Sequence, residues 1–178
     1  EYYSGRDCDT FVTSTREETV DHIWTDSSLP LGMDSVEEFS VRWTGNIVAE
    51  EAGAYTIYTN VDDGLQLYID GELVISDGGP HTPVESSASF NWEADSVHSI
   101  RMEYYNGELG GTMQLMWSTP FSGKTVIPEK NLTLTDEAAV DWIIGEDTIA
   151  AEGHIYWEDT ATYTIVLESY DEDGTLVD

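Results

Sequence analysis

Apolar and polar residues alternate with a period of two through most of the chain, and this restricts the fold more than any other feature. Phe39, Val41 and Trp43 fall on one side of an extended segment whose other side carries Ser40, Arg42 and Thr44, because successive side chains of a strand point to opposite faces. Tyr55 and Ile57 continue the pattern after a turn at Gly53, and Leu65, Leu67 and Ile69 alternate with Gln66, Tyr68 and Asp70. Asp70-Gly71 then separates that run from Leu73 and Ile75. A type I′ turn needs positive φ at both central residues, so Asp-Gly between two alternating runs predicts a hairpin. Further strands are expected around Ser87–Trp92, Ser99–Tyr105 and Thr112–Trp117, with turns spaced by roughly 8–12 residues as in a sandwich. The fold class is all-β.

Charge limits the partners. Thirty-six acidic residues face six basic ones, a formal net charge of −30. Nucleic acid and anionic lipid both need Lys and Arg to replace counterions, so neither is an expected partner. Cations are: calcium (Ca²⁺) at specific sites and a salt atmosphere around the rest. Self-repulsion at this density is relieved by salt, since the Debye length falls to roughly 3 Å at 1 M. A halophilic source is therefore expected, the alternative being an ordinary acidic secreted protein. Cys8 is the only cysteine, which rules out an internal disulfide and any CxxC site. Secreted eukaryotic β-domains of this size usually carry several bridges, so a prokaryotic origin is expected. No run approaches the ~20 apolar residues of a membrane span, and no membrane insertion is expected. No signal peptide is visible, as in a mature chain or a piece of a longer one.

Composition changes near Thr135, which divides the chain into a domain at 1–134 and a C-terminal β extension at 135–178. Asp136 to Ile144 reads either as a short helix or as a strand ending at Gly145. His154–Trp157 and Tyr163–Leu167 read as strands, followed by an acidic tail with a turn at Asp173-Gly174. A segment this short is near the limit of independent folding without disulfides or metals. It is expected to pack on the first domain or to be donated to a neighbouring subunit. In the second case Tyr163, Ile165 and Leu167 would fill a groove at a neighbour's sheet edge, and a head-to-tail contact of that kind builds a filament.

The order of motifs resembles the PA14 family. Glu1-Tyr2-Tyr3 is followed by Phe39 to Gly45 (FSVRWTG) and by Gly53-Ala54-Tyr55-Thr56. Asp62 to Gly71 (DDGLQLYIDG), Arg101 to Tyr105 (RMEYY), Gln114 to Trp117 (QLMW) and Val126-Ile127-Pro128 continue it. The resemblance covers about residues 1–134 and implies a β-sandwich of the PA14 type. Many members of that family are calcium-dependent lectins in which two adjacent aspartates, joined by a cis peptide, hold calcium that grips vicinal sugar hydroxyls. Asp62 and Asp63 stand at that motif. Other members keep the fold and bind no sugar.

Neighbouring carboxylates on a regular strand point apart, so two in sequence reach one ion only if the backbone turns them together. Asp62-Asp63-Gly64 also reads as a plain turn, since Asp-Gly recurs at Asp70, Asp77 and Asp173. Calcium needs more oxygen ligands than two carboxylates supply. The resemblance implies that a second loop, here Asn106 to Gly111 (NGELGG), supplies the rest. The expected metal ligands are therefore Asp62, Asp63, Asn106 and Gly110. The expected glycan contacts are Asp62, Asp63, Gln66, Asn106 and Glu108. The loop from Asp77 to His81 is a further neighbour, with His81 read as an ordinary loop histidine.

Catalytic motifs are missing from the sequence. His22, His81, His98 and His154 are scattered without paired ligand spacing, and there is no G-x-S-x-G elbow or phosphate-cradling glycine loop. The sequence is read as a non-catalytic extracellular or cell-surface module, adhesin-like, that binds a glycan through calcium. The alternative is a structural subunit of a surface filament assembled through its C-terminal strands.

Overall fold

A computed structural model describes residues 1–134, 140–144, 149–153, 169–170 and 176–177, with side chains through Leu134. The chain forms two compact units, Glu1–Asp136 and Glu137–Asp178.

In the first unit the strands are β1 (Tyr2–Ser4), β2 (Thr10–Thr13), β3 (Asp21–Ile23), β4 (Phe39–Ala49), β5 (Gly53–Asp62) and β6 (Gly64–Ile69). They continue as β7 (Glu72–Asp77), β8 (Val84–Trp92), β9 (Ser96–Asn106), β10 (Thr112–Ser118), β11 (Thr125–Val126) and β12 (Leu132–Thr133). A seven-stranded sheet has the order β2-β1-β4-β9-β6-β7, with β12 also on β4. A five-stranded sheet has the order β11-β10-β5-β8, with β3 also on β10. All pairings among these strands are antiparallel. The all-β sandwich expected from the alternation is what the chain forms.

Alternation decides which face each strand buries. Val41 and Ile47 of β4, Leu65, Leu67 and Ile69 of β6, and Met102 and Tyr104 of β9 line the inner face of the larger sheet. Tyr55, Ile57 and Val61 of β5 meet them from the smaller sheet with Met113, Leu115 and Trp117 of β10. Removing one such side chain from water contributes about 1.5–3 kcal/mol. The Asp-Gly hairpin has the expected geometry: Asp70 and Gly71 have φ of 52° and 81°, and Ile69 pairs with Glu72 across the turn.

The loop before β3 is fixed by one carboxylate. Glu17 accepts hydrogen bonds from Tyr2 Oη and Trp43 Nε1 and lies 2.8 Å from His22 Nε2. Among the described residues no helix is long and apolar enough to cross a membrane.

In the second unit, β13 (Val140–Ile144) pairs with β14 (Ile149–Gly153), and β15 (Ser169–Tyr170) with β16 (Leu176–Val177). Of the two readings of Asp136–Ile144, the strand holds over Val140–Ile144; β14 had no clear signal in the sequence. The strands read at His154–Trp157 and Tyr163–Leu167, with Tyr163, Ile165 and Leu167, and the turn at Asp173-Gly174 lie outside the described residues.

Candidate calcium and ligand site

Two connections cross from one sheet to the other at the same end of the sandwich. β5 belongs to the smaller sheet and β6 to the larger, so the chain changes sheet at Asp62-Asp63. β9 belongs to the larger and β10 to the smaller, so residues 107–111 make the reverse crossing. Strand pairing forces the crossings together: Asp62 is opposite Thr112, and Gly64 is opposite Tyr105. Residues more than forty apart in sequence thereby become neighbours.

The peptide bond between Asp62 and Asp63 is cis. Asp63 is buried, 5% exposed, and both its carboxylate oxygens are engaged. Oδ1 accepts from the His81 backbone N–H at 3.1 Å, and Oδ2 from the Gly107 N–H at 2.9 Å. Asp62 is half-buried, and its carbonyl accepts from Tyr104 Oη. Burial raises the Asp62 pKa above the ordinary carboxylate value, and the adjacent Asp63 charge and a hydrogen bond with Asp63 raise it further. Burial likewise drives the Tyr104 phenol upward, reinforced by both aspartates.

Asn106 completes the cluster. It is fully buried, and its Nδ2 donates to Val36 O at 2.6 Å and Leu109 O at 3.0 Å. Its Oδ1 is buried without a hydrogen-bond partner. A buried acceptor left unpaired costs about 1–3 kcal/mol. Close packing fixes the loop beyond it: Gly111 exchanges backbone hydrogen bonds with Trp24 at 2.8 and 3.2 Å. A Cβ on Gly111 would lie 2.2 Å from Tyr104 Oη, and one on Gly110 2.6 Å from Trp24 O.

The structure thus brings Asp62, Asp63, Asn106 and the Gly110 region to one place. Glu108 is exposed on the same loop. Gln66 lies on the outer face of the larger sheet, where it accepts from Tyr68 Oη at 2.7 Å. Among the described residues no three or more His, Cys, Asp or Glu side chains gather closely enough to hold a metal. The available donors are two carboxylates, an unpaired amide oxygen and loop carbonyls. This all-oxygen set fits a hard cation such as calcium and gives a thiolate- or imidazole-preferring metal nothing to bind.

The supports of the site are not legible in the sequence. Trp24, packed on Phe39 and Tyr104, carries the reverse crossing, and the His81 backbone holds Asp63. His81 Nε2 lies 3.2 Å from Asp77 Oδ1. Neither role has a sequence signature, because both run through main-chain groups.

Comparison with known proteins gives a consistent fold. A model of the PA14 domain matches residues 1–131. Anti-sigma-I factor RsgI3 of Acetivibrio thermocellus is 33% identical over 138 residues, 76% of this chain and 21% of that protein. A solved anti-sigma factor domain-containing protein superposes with a TM-score of 0.71 at 31% identity, covering 76% of this chain and 47% of that one. A PA14 sugar-binding domain from an RTX adhesin superposes with a TM-score of 0.55 at 15% identity, covering 76% and 96%; this last likeness is one of fold. The chain spans about a fifth of the curated relative and about half of the solved anti-sigma chain.

Proposed function

The chain belongs to the PA14 domain family, and from that premise we propose that it is a non-catalytic, calcium-dependent carbohydrate-binding module of the extracellular or cell-surface kind. The observation that carries the reading is the unpaired, fully buried Asn106 Oδ1 on the crossing that runs beside Asp62-Asp63. In this reading Asp62, Asp63, Asn106 and the Gly110 carbonyl region hold calcium, and the bound ion orders vicinal hydroxyls of a sugar. Calcium affinity follows ligand charge, and two carboxylates suit the range of roughly 10⁻⁴–10⁻³ M found in extracellular modules. The RTX adhesin domain of the same fold is a sugar-binding domain, which supports the assignment of ligand class.

Calorimetric titration with calcium, followed by a glycan panel in calcium and in chelator, tests it. Expected are calcium binding in the sub-millimolar to millimolar range and glycan binding that chelator abolishes. No calcium binding, or glycan binding indifferent to chelator, refutes the reading.

A second reading concerns the protein around the module. Two relatives above 30% identity are named as an anti-sigma factor and as an anti-sigma factor domain-containing protein, which favours a sensory module whose sugar is a signal. It predicts a longer parent chain that binds a sigma factor and loosens it when the sugar is added. Sigma-factor binding unaffected by the sugar refutes it.

A further inference from the structure

The larger sheet ends in β2 and β7, and the smaller in β11 and β8. Three of these edges are poor templates for a further strand. β11 has two residues, and the pairings of β2 and β7 with their neighbours are broken by register shifts. Shortness and irregularity are common protections of a sheet edge. β8 has neither. Its nine residues run in unbroken register along β5, from Val84 opposite Val61 to Trp92 opposite Gly53, and no described strand pairs with its other side.

Charge marks the same edge. The chain carries a net charge of −30, yet from Ser86 to Trp92 β8 has no ionisable side chain. Its one charge, Glu85, is matched by Lys124, one of only six basic residues. Lys124 Nζ donates to both Glu85 carboxylate oxygens, at 2.9 and 2.7 Å, and lies 5.1 Å from the centre of the Tyr58 ring. The two sides of the strand differ. Glu85, Ser87, Ser89 and Asn91 are exposed, whereas Ala88 and Phe90 are partly buried against the core and Phe90 stacks on Trp92 at 5.0 Å.

We propose that β8 is a self-association edge, at which two copies of this chain pair antiparallel about a two-fold axis through Ala88. In that register Ser87 stands opposite the partner's Ser89, Ser86 opposite the partner's Phe90, and Glu85 opposite the partner's Asn91. No like charges meet. Hydroxyls face hydroxyls on the exposed side, and Phe90 meets a small residue on the core side. Cross-strand Ser and Thr pairs support a sheet, as Thr56 and Ser89 do within the chain at 3.0 Å. The strand is thus its own complement, whereas a basic partner would find no free carboxylate along it. An isologous contact closes at two copies and joins the two smaller sheets into one. Val84 is beside the end of β5 that leads to Asp62, and Trp92 is at the opposite end. Antiparallel pairing therefore points the two aspartate sites in opposite directions.

The opposing force is repulsion between two chains of −30. Salt weakens it, as the Debye length falls to roughly 3 Å at 1 M. The interface has no ion pair between copies to lose, so dimerisation strengthens with salt. A contact along nine residues is at the small end of interfaces, and the dimer is weak and reversible.

Sedimentation equilibrium of the whole chain, from low ionic strength to about 1 M sodium chloride, tests the proposal. Expected is a monomer–dimer equilibrium whose dissociation constant falls at least about tenfold over that range. Ser87→Lys with Ser89→Lys sets lysine against lysine twice across the axis and abolishes the dimer, although it lowers the net negative charge. Ser87→Lys with Ser89→Glu sets lysine against glutamate twice and restores it. Both positions are exposed, and melting temperatures matched to the wild type establish that the variants fold. A wild type that stays monomeric at high salt, a dimer indifferent to the lysine pair, a lysine–glutamate variant that stays monomeric, or assemblies that grow beyond two copies each overturn the proposal.

Discussion

Replacing Asp62 by Asn separates the stability of the fold from that of the ion site, because the two respond with opposite sign. Burial and the neighbouring Asp63 charge raise the Asp62 pKa. A carboxyl whose folded pKa lies above its unfolded value is destabilising when ionised, and the penalty is lost as pH falls through the folded pKa. At neutral pH without calcium, the uncharged Asn removes that penalty. Solvent screening at this half-buried position limits the gain to about 0.5 kcal/mol. Calcium at a hundredfold excess over its dissociation constant stabilises the wild type by about 2.7 kcal/mol. At about 2–4 °C per kcal/mol for a chain of this size, the midpoint then rises by roughly 5–10 °C. The variant loses one of two carboxylates and most of that increment. Scanning calorimetry of both proteins, in chelator and in calcium, gives all four midpoints. The reasoning is refuted if Asp62→Asn is less stable than the wild type in chelator, or if it keeps the full calcium increment.

Gly111→Ala places a Cβ 2.2 Å from Tyr104 Oη, the donor to the Asp62 carbonyl. Expected are an overpacking cost of about 1–3 kcal/mol and weaker calcium binding; an unchanged calcium isotherm would remove Tyr104 from the site's support. Burial works to raise the Glu17 pKa, but hydrogen bonding and charge from His22, with donors from Tyr2 and Trp43, hold it below the ordinary carboxylate value. Its stabilisation is therefore present above the unfolded value and lost as pH falls through the folded one. Urea midpoints between neutral pH and about pH 3 should fall less steeply in Glu17→Gln than in the wild type, and parallel slopes would contradict this. Salt is expected to raise the melting temperature between low ionic strength and 1 M, where the Debye length is about 3 Å. The exposed pairs Lys124–Glu85 and Lys130–Glu50 are screened by the same salt and contribute little. A lower melting temperature in high salt would show that such pairs outweigh the self-repulsion.

The strands were legible because alternation encodes burial directly. Leu65, Leu67 and Ile69 are inside and Gln66 is outside, as period two requires. Asp70-Gly71 was legible because the turn demands residues that tolerate positive φ. The short strands β2 and β3 were not, since their burial is set by their partners: Phe11 is 43% exposed and Ile23 63%. The juxtaposition of Asp62-Asp63 with Asn106 came from the resemblance and had no local signal. It depends on β5 pairing with β10 and β6 with β9, long-range register that no single segment specifies. The contact of Arg6 with Gly107 was illegible for the same reason, because it forms only after β1 pairs with β4 and β4 with β9.

The two aspartates look equivalent in sequence, and the structure makes them unequal. Asp63 is almost closed to solvent, and each of its oxygens already accepts a main-chain hydrogen bond, one from each loop that flanks the pair. A carboxylate so placed fixes loop geometry whether or not an ion is bound, and truncating it leaves two N–H donors without their partner, at about 1–3 kcal/mol for each that stays buried. Asp62 is more open, and its pKa is raised first by partial burial and then by the neighbouring Asp63 charge. Loss of calcium binding on changing Asp63 would therefore follow from a displaced loop as readily as from a lost ligand. Asn106 is tied in as well, since its Nδ2 holds Val36 O and Leu109 O, so Asp62 is the position where an effect on the ion is read without first dismantling the loops that hold it.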